Sequence, residues 1–120
     1  MQVLIVESDA GLANLWRRHL ERSHAEVDIA VDQDSAISQL QETMPDVIVL
    51  DLFLDTGSAI AVADYASYRR PEAKVVFVTN TTFFSDGSIF NHIPNACAYL
   101  QSGTAPEDLT AIVEHYGGVH

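Results

Sequence analysis

Positive charge is what this chain has least of. Six Lys and Arg residues stand against 17 Asp and Glu, a formal net charge of −11, and Lys74 is the only lysine. That balance excludes nucleic acid as a direct ligand, because phosphate contacts need clustered Lys and Arg. The two basic groupings, Arg17-Arg18 with Arg22 and Arg69-Arg70 with Lys74, read as solvated helix faces or ends. Cysteine is almost missing as well. Cys97 alone allows neither an internal disulfide nor a cysteine-based zinc site, and its apolar neighbours make it a small core residue rather than a nucleophile. The histidines (19, 24, 92, 115 and 120) are scattered without metal-ligand spacing, and none has the setting of a phosphotransfer histidine. No apolar run reaches the ~20 residues of a membrane span. Repeats and low-complexity stretches are absent, and Met1-Gln2-Val3-Leu4 enters a strand with no basic leader ahead of it. These absences predict a cytoplasmic protein with no membrane contact, or a cytoplasmic domain of a larger chain.

What is present is an apolar fraction of 48% over 120 residues, enough for the core of a single domain spanning 1–120. Val3-Leu4-Ile5-Val6 and Val47-Ile48-Val49-Leu50 are continuous apolar runs, the pattern of strands covered on both faces. Each ends in carboxylate, the first in Glu7-Ser8-Asp9 and the second in Asp51. Between them, Leu12, Leu15, Trp16, His19 and Leu20 form a helical stripe with Ser8 or Asp9 as its cap. Val27, Ile29 and Val31 alternate as in a half-exposed edge strand. Asp34 is the candidate cap of a second helix carrying Ile37, Leu40 and Met44.

Beyond Asp51, a helix over about 58–68, a strand over 75–78 ending in Thr79, a weak helix over 86–93 and a short strand over 96–100 follow. A final helix carries Leu109, Ile112, Val113 and Tyr116. Thr104-Ala105-Pro106-Glu107 reads as its capping box, and Gly117-Gly118 as its end. The alternation predicts an α/β fold, (βα)5, with a doubly wound parallel five-stranded sheet. Ligands of such sheets bind beyond the carboxyl ends of the strands, where Glu7, Ser8, Asp9, Asp51, Thr79, Gln101 and Ser102 fall.

In order and spacing, Val3-Leu4-Ile5-Val6-Glu7, Pro45-Asp46-Val47-Ile48-Val49-Leu50-Asp51-Leu52, Val76-Phe77-Val78-Thr79 and Ala98-Tyr99-Leu100 resemble the receiver domain of bacterial two-component response regulators. The resemblance covers nearly the whole chain. It implies a flavodoxin- and CheY-like sheet of strand order 2-1-3-4-5 and a signalling domain rather than an enzyme acting on an outside substrate. It implies Asp51 as phosphoacceptor, and Mg²⁺ held by Glu7, Asp51, the Phe53 carbonyl and Ser8 or Asp9. Thr79, Tyr99 and Ser102 take the switch positions. The implied partners are a sensor histidine kinase or phosphotransfer protein and a downstream protein or output domain.

The chain departs from the family pattern in ways that predict a weakened switch. Ser8 stands where a metal-binding carboxylate is usual, and Ser102-Gly103 where Lys-Pro is usual. Asp55 and Ala59 replace a Pro and a Gly. The rival reading is a phosphorylation-independent pseudo-receiver acting as an interaction module or homodimer. Its candidate surface is the apolar stretch Phe83-Phe84 to Ile89-Phe90 and Ile93. Asp55-Thr56-Gly57 matches the aspartic-protease signature, but that fold is all-β and this chain carries strong helical stripes. A flavin-phosphate site is disfavoured because Glu7-Ser8-Asp9 would repel the phosphate.

Overall fold

A computed structural model describes residues 1–79 and 93–118. The strands are β1 (Gln2–Val6), β2 (Glu26–Ala30), β3 (Val47–Asp51), β4 (Lys74–Thr79) and β5 (Ala96–Gln101). The helices among the described residues are α1 (Ala10–Arg22), α2 (Gln33–Glu42), α3 (Ala59–Arg69) and α4 (Pro106–Tyr116). All strand pairs are parallel, in the order β2-β1-β3-β4-β5. The helix expected over 86–93 lies outside the described residues except for Ile93, which is buried in the core. The apolar stretch 83–90 also lies outside them.

The two sheet faces form separate cores. Leu4, Val6, Ile48, Leu50 and Phe77 point toward α2 and α3, while Val3, Ile5, Val47, Val49 and Val76 point toward α1 and α4. Consecutive residues of β1, β3 and β4 are therefore all buried, which is why their sequences run apolar without alternation. The edge strand β2 alternates exposed and half-buried residues instead. Trp16 is a core residue of the α1 face, and Cys97 is half-buried beside that core. Burial pushes the Cys97 thiol up to about 11, keeping it protonated.

Local chemistry corrects three expectations. Asp32, not Asp34, caps α2: its carboxylate accepts from the Ser35 amide at 2.8 Å, and the Ser35 hydroxyl accepts from the Asp32 amide in return. Met44 does not extend the α2 stripe. It follows the helix and is 67% exposed. The capping box at 104–107 does not form; Ala105 occupies the cap without a side-chain bond, and Pro106 starts α4 by fixing the backbone angle. Asp9, by contrast, caps α1, accepting from the Leu12 amide at 3.1 Å.

One irregularity places an aromatic. Val75 and Val76 pair with Ala96 and Ala98, so β5 carries an extra residue at Cys97. The shift sets Tyr99 opposite Phe77 and against the α2–α3 core.

Candidate functional site

β1 and β3 are adjacent central strands, so their exits lie side by side at the carboxyl edge of the sheet. A cavity of about 480 Å³ opens there. Its walls carry the carboxylates of Glu7, Asp9, Asp51 and Asp55, together with Ser8 and Ser102. Among the described residues, no Lys or Arg lines it. Lys74 starts β4, opposite Val47, at the far end of the sheet.

Glu7 is the electrostatic centre of this cavity. Its amide continues the β1–β2 ladder to the Ala30 carbonyl at 3.0 Å, which turns the side chain inward, and it is 3% exposed. Burial, then a hydrogen bond to Asp51 and the charge of Asp51, raise its carboxyl to about 8, against the opposing pull of the Asp9 and Ser8 amides. At neutral pH Glu7 therefore holds its proton. Asp51 accepts from the Phe53 amide at 2.9 Å, a bond that turns the chain tightly after β3. Phe53 itself is 52% exposed on the cavity rim.

Ser8 faces a different task. Its hydroxyl donates to the Val31 carbonyl at 2.9 Å and accepts from the Asp55 amide at 3.0 Å. Asp9 is occupied as the α1 cap. Glu7 and Asp51 supply hard oxygen donors, and two adjacent carboxyl groups are the kind of site a divalent ion would neutralise. Mg²⁺ commonly takes only one or two carboxylates and completes its shell with water and phosphate oxygens. Two carboxylates would meet that demand, and among the described residues no group of three or more His, Cys, Asp or Glu side chains gathers to hold a metal.

Of the expected switch residues, Ser102 lines the cavity. Thr79 is fully buried at the end of β4, and its carbonyl accepts from the Ser102 amide at 2.7 Å. Tyr99 lies below the rim on the α2–α3 face. The structure adds Leu12 and Asp55 to the lining. It also brings in Gln33, whose side-chain carbonyl accepts from the Ser58 amide at 2.8 Å. Asp55-Thr56-Gly57 lies in the loop between β3 and α3 of a parallel sheet, not in a hairpin. Asp55 and Gln33 carry no periodicity or cap signal, because bonds to other segments place them, whereas Leu12 belongs to the helical stripe of α1.

A doubly wound parallel sheet with an acidic cavity at its switch in strand order defines a class of phosphate- or metal-handling α/β domains. Residues 3–114 match the response regulator receiver domain family, and the chain belongs to it. The photosynthetic apparatus regulatory protein RegA of Rhodobacter capsulatus is 29% identical over 77 residues, 64% of this chain and 42% of that protein. The phosphate regulon transcriptional regulatory protein PhoB of Rhizobium meliloti is 34% identical over 73 residues, 61% of this chain and 32% of that protein. The matched stretch is thus less than half the length of either relative. A CheY-like receiver domain from Methanospirillum hungatei superimposes with a TM-score of 0.87 at 22% identity, covering 97% of this chain and 92% of that one. Receiver domains serve two-component signalling, commonly bind Mg²⁺ at the phosphorylation site, and generally act as signalling rather than enzymatic units. Among the described residues, no helix is long and apolar enough to cross a membrane.

Proposed function

We propose that this domain receives a phosphoryl group on Asp51 from a sensor histidine kinase or phosphotransfer protein. The observation that carries the reading is the buried Glu7 carboxyl hydrogen-bonded to Asp51 in a cavity whose described lining has no cationic side chain. A carboxylate oxygen of Asp51 attacks phosphorus as the phosphorus–nitrogen bond of a phosphohistidine breaks, forming an acyl phosphate and returning the electron pair to imidazole. Glu7, Asp51 and the Phe53 carbonyl would hold Mg²⁺, whose charge would offset that of the incoming phosphoryl group. Glu7 would have to give up its proton to serve as a ligand. The Ser102 and Thr79 hydroxyls take the place of a lysine as contacts to the phosphoryl oxygens, so the switch is weaker than in a lysine-bearing receiver. The signal passes to a downstream protein or output domain in the cytoplasm.

The same missing cation supports a second reading, a pseudo-receiver that works without phosphorylation as an interaction module or homodimer. Titration with beryllofluoride and Mg²⁺, followed by amide NMR around Asp51, separates the two. A saturable, Mg²⁺-dependent shift that disappears in Asp51→Asn is the expected result. No response at high millimolar Mg²⁺ would leave the pseudo-receiver.

A further inference from the structure

We propose that Ser8 is a positioning residue, a hydroxyl rivet that straps the β3–α3 loop over the acidic cavity, and not a metal ligand. β1 runs between β2 and β3, so position 8 sits between the exits of both neighbours. The Ser8 hydroxyl uses its proton on the Val31 carbonyl, just past β2, and a lone pair on the Asp55 amide, just past β3. A single small group thereby joins three chain segments. The chemistry is selective. A hydroxyl both donates and accepts, whereas an ionised carboxylate at position 8 accepts from the Asp55 amide but cannot donate to the Val31 carbonyl.

A second clasp lies farther along the same loop. The Gln33 amide donates to the Thr56 carbonyl at 3.4 Å, and its side chain accepts from the Ser58 amide at 2.8 Å. Gly57, at φ +89°, permits the close approach, since a Cβ there would collide with the Gln33 side chain. The strap therefore runs from Asp55 to Ser58, anchored on Ser8 just past β1 and on the first residue of α2. It holds the turn that carries Phe53 and the Asp51 carboxylate. The serine is then a substitution of function: the loop is fixed by protein where a carboxylate would have gone to the ion.

The consequence for Mg²⁺ rests on the phosphoreceiver reading, and the test keeps the two apart. Amide hydrogen exchange at Asp55 reads the strap without any metal, and Mg²⁺ titration of the Phe53 and Asp51 amides reads the site. Ser8→Ala is expected to speed Asp55 exchange about tenfold, the loss of one hydrogen bond. It is also expected to raise the Mg²⁺ midpoint several-fold, and Ser8→Thr, which keeps the hydroxyl, restores both. Ser8→Cys keeps the shape with a weak donor and acceptor, and serves in place of alanine if that variant does not fold. Unchanged Asp55 exchange in Ser8→Ala overturns the proposal. So does a weakened Mg²⁺ response with Asp55 protection intact, because Ser8 would then act on the ion directly. A wild-type protein silent to Mg²⁺ removes the phosphoreceiver reading, and the exchange measurement alone then decides the strap.

Discussion

The two ends of the sheet handle charge in opposite ways. At the amino end, several charges have a local use. The Arg69 guanidinium donates to the Gln41 carbonyl at 3.3 Å and that of Arg70 to the Thr43 carbonyl at 3.1 Å, satisfying groups at the α2 carboxyl terminus, where positive charge is favoured. Asp46 accepts from the Gln2 amide at 2.8 Å. Asn95 is 5% exposed there; its amide donates to the Ala73 carbonyl and its oxygen accepts from the Ser67 hydroxyl. At the carboxyl end, Glu7 lies against Asp51, whose charge adds to burial in raising the Glu7 carboxyl. The first arrangement builds stability. The second gives some up as the Glu7 carboxyl is forced to ionise, the pattern of perturbed carboxyl groups found at functional sites.

That contrast is open to direct attack. The largest effect belongs to the amino end: Asn95→Ala strands the buried Ala73 carbonyl, leaves the Ser67 hydroxyl only the Ala63 carbonyl of its own helix, and costs about 2 kcal/mol of unfolding free energy, with the Asp51 region of the NMR spectrum unmoved. Urea denaturation gives the first number; a change of the Asp51 signals would erase the separation between the ends.

At the carboxyl end the sign reverses. The Glu7 carboxyl titrates near 8 in the folded domain against about 4.5 unfolded, so the native state binds more protons between those values. Its stabilising contribution is complete below pH 4.5 and is lost as pH rises through 8. Glu7→Gln should therefore add about 1–2 kcal/mol at pH 8.5 in the absence of Mg²⁺ and flatten the fall between pH 5 and 8. Stability of wild type that rises over this range would contradict a raised Glu7 carboxyl. The smallest effect is Arg70→Ala, about 0.5–1 kcal/mol, with Mg²⁺ response unaltered.

Much of the fold was legible in one dimension. Runs buried on both faces, such as 3–6 and 47–50, have no polar alternation, and strict succession of strands and helices leaves few topologies. The caps were less legible, because Asp32 and Asp34 flank the same helix start and only the reciprocal bond with Ser35 chooses between them. Met44 follows the helical spacing but lies past the end of α2, where the chain has already turned away. In the site, Glu7 and Asp51 stood out as carboxylates ending apolar runs. The strap did not, since Val31 contributes a carbonyl and Asp55 an amide, groups that every residue type carries.

The sequence by itself determined the α/β class, the pairing of acidic strand ends, and the lack of any lysine to answer them. Those are properties of composition and order, which no folding can alter. Only the tertiary structure decided that Glu7 is buried against Asp51 with its carboxyl raised to about 8, and that the Ser8 hydroxyl is spent between Val31 and Asp55. Burial and hydrogen bonding depend on which distant segments meet, and the parallel sheet brings together residues that lie 44 and 47 positions apart along the chain.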